Sequence, residues 1–280
     1  MRYLINNGAD NPTSFPGWKE RIAHIAARIV PFSGTWYRGT PIVSFTFDDF
    51  PLSAAVTGAP LLEKHKVRGT FYAATGLMGL PHDLWEMTPL SALQTLEAAG
   101  HDIGLHTHSH DVAWRYGAKA FEDDLARNEK AIGAAIGSYR PESFAYPYGI
   151  GHVGHKRVLA KSLRAARSVH PGINAGFIDL HFLRAYELLD SAVSFERAAA
   201  LIDQAVSARG WLIFVSHDVS DTPTRYGVTP ALLEAALVHA KDRGARVLPI
   251  CEALDAIGAR VRHASPVMGE CAMLISRHRA

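Results

Sequence analysis

The sequence predicts an α/β fold, a single distorted (β/α) barrel of seven or eight parallel strands, TIM-barrel-like in plan, and three observations carry that expectation. From residue 41 onward, short apolar runs alternate with amphipathic segments, a β-α-β-α rhythm that argues for a parallel sheet. Seven or eight such units in one chain favour closure into a barrel over an open sheet. Polar clusters also fall at the ends of the apolar runs: Asp48 and Asp49 after the first, His106 to His110 after the third, "YPYG" at 146–149 after the fourth and His217 after the seventh. A parallel barrel gathers such positions at its C-terminal mouth, where these folds keep their chemistry.

Taken in order, residues 1–40 form an N-terminal segment in which Trp18, Ile22, Ile25, Ala26, Ile29 and Val30 recur at helical spacing. Lys19, Glu20, Arg21 and Arg28 mix both signs of charge on the other face, which argues for a helix packed on the barrel rather than one lying on a membrane. The barrel is expected over 41–257, with strands in "PIVSFTF", "GTFYAAT", "HDIGLH", "SFAYPY", "AARSVH", "FLRAYEL", "WLIFVSH" and "ARVLPI". Between them, "MTPLSALQTLEAAG" offers Thr88 as cap, Pro89 inside and Gly100 past the end, and Thr229, Pro230 and Gly244 repeat that grammar. Residues 258–280 read as a solvated C-terminal tail. No fixed-period repeat or linker divides the chain.

The 280 residues are 48% hydrophobic and 20% charged, enough to bury a large core. A net charge of +2, spread rather than blocked, leaves no footprint for nucleic acid. Cys251 and Cys271 make no disulfide framework, and Cys251 reads as a small buried residue at a strand end. No run approaches a membrane span, and the start "MRYLINNGADNP" lacks a signal-peptide core, so a cytoplasmic location is expected. Oligomeric state is not legible.

Adjacent carboxylates at Asp48 and Asp49 repel unless a proton or cation separates them; taken alone, the pair reads as a cap or turn. The histidine cluster changes that balance. A strand would put His106, His108 and His110 on one face, whereas a turn aligns His106 with His110 and directs His108 away. "THSHD" is short, polar and poor in strand formers, which favours the turn. Two imidazoles and one carboxylate leave an open coordination position, the arrangement of a catalytic zinc site. His217 is placed to serve as a general acid; alone it reads equally as a rim histidine bonded to a backbone carbonyl.

"TFDD", "HTHSH", "YPYG" and "IFVSHD" stand in an order and spacing that resemble the polysaccharide deacetylase family, carbohydrate esterase family four, also called the NodB-homology domain. "RGTFYAATG" and "AAGHDIGLHTHSH" extend the likeness, which spans about residues 40 to 255. The resemblance implies Asp48 as catalytic base, Asp49, His106 and His110 as ligands of a divalent metal, and His217 as general acid. It implies Tyr146, Pro147 and Tyr148 as a groove wall whose Tyr148 N–H faces the developing oxyanion. Leu212, Ile213 and Val215 would shape an acetyl pocket. The metal is expected to be zinc, with cobalt or nickel also suited to the donor set. The reaction implied is removal of N-acetyl groups from a carbohydrate, releasing acetate. A non-sugar amide substrate, or a metal- and sugar-binding protein with little turnover, stand as alternatives.

Many family members carry an arginine two residues before the motif proline, paired with the base; Ala145 stands there in this chain. Arg140 and Arg184 are candidates to replace it, and Asp179 and Asp218 to support His217. "GIGHVG" at 149–154 matches a dinucleotide-binding pattern, but Pro147 just before it and the isolation of the match argue for a glycine-rich rim loop.

Overall fold

The computed structural model describes residues 17–259. The chain begins with α1 (Trp18–Ile29) and β1 (Gly34–Tyr37), then enters the barrel with β2 (Ile42–Phe47). There follow α2 (Ala59–Lys64), β3 (Thr70–Ala73), α3 (Ala92–Ala98), β4 (Asp102–Leu105), α4 (Ala118–Ile136), β5 (Ser143–Ala145), α5 (Val153–Leu159) and β6 (Ala165–Arg167). The second part contains β7 (Gly176–Asp179), β8 (Tyr186–Glu187), α6 (Phe195–Ala208), β9 (Trp211–Ser216), α7 (Pro230–Asp242), β10 (Arg246–Val247) and α8 (Ile250–Ala256).

Seven parallel strands curl in the order β6-β5-β4-β3-β2-β9-β8, and β10 joins the lower half of β2 through Arg246↔Ile42 and Val247↔Val43. The two edges approach each other through one segment: Leu183 exchanges backbone bonds with Ala166 and Ser168 beside β6, and Tyr186–Glu187 pair with β9. The distorted parallel barrel expected from the pattern is therefore the architecture found. All eight apolar runs supply its strands or strand ends. Alternation along each strand sorts the core: Ile42, Tyr72, Ala145, Ala165, Ile213 and Val215 cluster inside. Val43, Phe45, Phe47, Phe71, Phe144, Leu212 and Phe214 pack outward with the helices.

Helix grammar holds at one site and fails at another. The Thr229 hydroxyl accepts from Leu232 N at 3.2 Å, with Pro230 first in α7. Thr88 caps nothing: α3 starts only at Ala92, and Thr88 is buried in a loop whose backbone bonds Phe50 and Gly79. Cys251 is a half-buried residue in the first turn of α8, not a strand residue, because the strand ends at Val247. Cys271 and the tail from 260 lie outside the described residues.

Two features were not legible in the pattern. β1 and β7 form an antiparallel ribbon outside the barrel, with Gly34 opposite Asp179. And α1 packs through its small residues, not its large ones: Ala27 is fully buried and the His24 ring meets Phe182, while Trp18, Ile22, Ile25 and Ile29 are exposed. The cause is Lys156, buried under the helix, which donates to Ala27 O at 2.9 Å and Val30 O at 2.7 Å and pairs with Asp179. These bonds satisfy the last carbonyls of α1 and hold its small-residue face down. No helix among the described residues is long and apolar enough to cross a membrane.

Two core histidines make stability depend on pH. His155 stacks on Phe121 with ring centroids 4.0 Å apart, and His181 sits between Ser33 Oγ at 2.6 Å and Leu163 O at 3.3 Å. Burial lowers both to about 4 from the ordinary 6.5. The unfolded chain therefore binds more protons between those values, and stability rises with pH across that window. The melting temperature should fall between pH 7 and pH 4.5, and His155→Phe should flatten part of the slope; an unchanged slope in that variant would remove His155 from the account.

Candidate active site

Inward-facing positions at the upper ends of the strands build the site. Alternation places Asp48 on the inner face after β2, His106 after β4, Ala145 at the end of β5, Arg167 at the end of β6 and His217 after β9. The β2–β9 ladder runs to the rim, where Asp48 N donates to Ser216 O at 3.0 Å.

Asp49 turns back into the mouth because its φ is +60°, and Phe50 follows at +69°. Thr107, His110 and Tyr148 are also left-handed, at +60°, +54° and +57°, so five of the seven such non-glycine residues described line this site. Each costs on the order of 1–3 kcal/mol, and strain of this kind persists where surrounding structure over-determines it. The strain brings the His106 and His110 Nε2 atoms to 3.2 and 2.8 Å from Asp49 Oδ1. One ligand atom from each of the three residues lies within 4.8 Å of the others.

The donor set fits a divalent cation. His106 Nδ1 donates to Ala145 O at 2.8 Å, which leaves Nε2 as an acceptor in the neutral ring. Asp49 Oδ1 is buried and, among the described residues, has no donor in hydrogen-bonding geometry. Acceptors are thus gathered around one point, which is unfavourable until a cation or proton occupies it. The titration directions agree. Burial raises the Asp49 carboxyl, but the charge of His110 and both imidazoles hold it well below the usual range. Burial lowers His110, and the Asp49 carboxylate raises it by more, so the net shift is upward. His108 is directed away, its Nδ1 2.9 Å from Thr75 Oγ1.

Helix α4 holds the histidine loop. Asn128, fully buried, accepts from His106 N at 3.1 Å and donates to Ala73 O and Thr75 Oγ1, both at 2.9 Å. Asp124 accepts from the backbone of His108 at 3.0 Å and of Ser109 at 3.1 Å, and Thr107 Oγ1 accepts from His110 N at 3.0 Å. Sequence reasoning missed Asp124 and Asn128. A signal existed, since both fall at i, i+4 on the stripe of Phe121, Leu125 and Ile132 that α4 buries. Asp124→Ala leaves two loop N–H groups without their acceptor, at about 1–3 kcal/mol for each group that stays buried. It should lower the melting temperature and weaken zinc uptake by roughly 10- to 100-fold. Unchanged zinc titration would show that the loop holds its shape without the carboxylate.

The cation beside Asp48 is Arg167, and neither Arg140 nor Arg184. Arg167 is fully buried, donates from Nη2 to Asp48 Oδ1 and lies over the Tyr72 ring at 5.1 Å. Its register partner on β5 is Ala145, the residue standing where many family members place arginine. Arg140 and Arg184 are exposed.

His217 Nδ1 donates to Tyr226 O at 3.2 Å, which leaves Nε2 as the other ring nitrogen for proton transfer, and its ring stacks on Trp85 with centroids 5.6 Å apart. A backbone carbonyl supports it, not a carboxylate. Asp218 is occupied by Thr224, at 2.8 Å to N and 2.6 Å to Oγ1, and Asp179 by Lys156.

Of the third motif, Tyr148 alone reaches the surface, its ring 4.8 Å from that of His110. Tyr146 is no groove wall: its side chain is buried, and its hydroxyl donates to His181 O at 3.1 Å. Pro147 is buried in the turn beneath. On β9, Ile213 and Val215 face the barrel interior, but Leu212 faces the helices, so alternation excludes it from a pocket shared with the other two. Gly149 and Gly151 are packing glycines, since a Cβ would strike Val169 at the first and Phe182 at the second.

The polysaccharide deacetylase family model matches residues 37–165. No curated protein matches the chain. Among solved structures, a family 4 acetyl xylan esterase from Clostridium thermocellum, in complex with a cobalt ion, is 20% identical with a TM-score of 0.57, covering 79% of this chain and 93% of that one. A peptidoglycan N-acetylglucosamine deacetylase is 16% identical with a TM-score of 0.56, covering 82% and 94%. A pseudoenzyme of the same carbohydrate esterase family, from Bacillus anthracis, is 17% identical with a TM-score of 0.53, covering 78% and 67%. At these identities the likeness to solved structures shows the fold, and over residues 37–165, just under half of the chain, the sequence is similar to the polysaccharide deacetylase family.

Proposed function

We propose that this protein hydrolyses the N-acetyl group of a carbohydrate, with Asp49, His106 and His110 holding a divalent metal, zinc being the first choice for two imidazoles and a carboxylate. The observation that carries the reading is the convergence of those three acceptors on one point, beside a carboxylate already paired with arginine. When bound, the cation supplies Lewis acidity toward the amide carbonyl and toward water.

The chain's own residues supply the proton transfers. Asp48, held by Arg167, accepts a proton from the attacking water. The Tyr148 N–H, presented on a strained exposed turn, donates to the oxygen that gains charge. His217 Nε2 hands a proton to the departing nitrogen, while Nδ1 stays fixed on Tyr226 O. Water adds to the acyl carbon and the carbon–nitrogen bond breaks, so acetate and a free amine leave.

The test is acetate release from N-acetylated chito-oligosaccharides by zinc-loaded protein, with Asp48→Asn alongside and a small cyclic amide as rival substrate. Release from the sugar that Asp48→Asn abolishes supports the reading. Hydrolysis of the cyclic amide alone would move the substrate class. Retained zinc with no hydrolysis would leave a binding role on the same scaffold.

A further inference from the structure

Away from the triad, a cavity of about 280 Å³ opens between the C-terminal end of α1 and the 170–184 segment. It flanks the catalytic rim, because Val169, next to His170, packs directly under Gly149, which follows Tyr148. Its polar lining is cationic. Arg28 and Arg184 both reach it, and neither has a carboxylate within 4.0 Å among the described residues. Arg28 Nη2 donates to His170 Nε2 at 3.0 Å, so its other N–H groups have no carboxylate to bind.

Asp179 is the one carboxylate in the lining, and its charge is already matched. It pairs with the buried Lys156, and its Oδ1 accepts from His181 N at 3.2 Å and Phe32 N at 3.5 Å. The two guanidiniums therefore set the sign of the cavity. Arg184 is also held in place: Asn174, nearly buried, accepts from its N–H at 3.0 Å and donates to its carbonyl at 2.8 Å. Gly172 leaves room for its stem, since a Cβ there would lie 2.5 Å from Arg184 Cδ. Phe177 and Phe182 supply apolar wall.

We propose that this cavity is a binding site for an anionic group, a phosphate or a carboxylate, carried on a sugar. Paired guanidiniums without carboxylate partners suit either anion, the aromatic wall suits a ring, and the volume is at the small end for a ligand pocket, matching a single charged residue. The sugar body rests on the deacetylase reading; the anion does not.

The experiment is calorimetric binding of three probes to the full chain: N-acetylglucosamine 1-phosphate, N-acetylmuramic acid and uncharged N-acetylglucosamine. At least one charged probe should bind roughly 10-fold or more tightly than the uncharged sugar. That preference should shrink with added salt and vanish in Arg28→Gln/Arg184→Gln, two exposed positions whose replacement leaves the core intact. It should persist in Asp49→Ala. The probe that shows it identifies the anion. Equal binding of charged and uncharged probes, or an unchanged preference in the double variant, overturns the proposal. So does loss of the preference in Asp49→Ala, which would place the anion at the triad. Because the readout is binding, a protein without turnover leaves this result standing, and a failed anion preference leaves the deacetylase reading standing.

Discussion

Protein carrying Asp49→Ala should take up no zinc, and His110→Ala should follow it, whereas His108→Ala should bind about one equivalent per chain. The physical reason is that the first two supply acceptor atoms to the buried point and the third does not. Even partners one bond removed from a ligand are worth about 10- to 100-fold in metal affinity, so loss of a ligand should exceed that. In the metal-free wild type burial lowers the folded-state pKa of His110 and the Asp49 carboxylate raises it by more, so protonated His110 competes with any cation for the same point. Two signs follow. That histidine's contribution to stability is fully present below its unfolded value of 6.5 and is lost as pH rises through the higher folded value. Zinc must displace the same proton, so its apparent affinity should climb over the same window and then level. Elemental analysis after dialysis against chelator, followed by zinc titration at several pH values, measures both. Zinc retained by His110→Ala and lost by His108→Ala would mean that the loop presents a strand face.

The strands were legible because burial on both faces produces continuous apolar runs that survive in the sequence as such. "WLIFVSH" and "PIVSFTF" became β9 and β2 with little displacement. The ends of those runs also located most of the site, since alternation carries the inner face up to the rim. What the pattern did not contain was register and handedness. Arg167 meets Asp48 across the barrel interior, from β6, which stands four places from β2 in the sheet with Arg167 opposite Ala145, a relation that no local spacing encodes. The expectation of Arg140 or Arg184 considered residue type and missed the inner-face position. Leu212 was grouped with Ile213 and Val215 for the converse reason, nearness in sequence outweighing the period of two. On α1 the amphipathic stripe was visible, but whether large or small residues pack is decided by Lys156 and Asp179, well over a hundred positions later. Asn128 and Asp124 were within reach, as polar residues on a buried helical stripe need an explanation.

The Arg167–Asp48 pair should show the largest stability effect in the molecule when one member is removed. Both side chains are out of water, at 0% and 6% exposure. Arg167→Met therefore strands a buried carboxylate, at a cost of about 3–5 kcal/mol. The arginine is itself expensive, because its Nε and Nη1 find no acceptor among the described residues, while the Tyr72 ring lies against its guanidinium. Removing both charges in Asp48→Asn/Arg167→Met should then recover most of the loss, a coupling that two independent sites would not show. Arg167→Lys should fall between, since lysine keeps the charge but not the planar fork and the stack on Tyr72. Chemical denaturation of the four proteins gives the energies. Activity should separate from stability: the double variant, though refolded, lacks the proposed base and should lose roughly 100-fold or more in kcat, while Arg167→Lys should keep part of it with KM little changed. If Arg167→Met were as stable and as active as wild type, Asp48 would not depend on this guanidinium, and Ala145 would mark a true loss of the proposed base's partner.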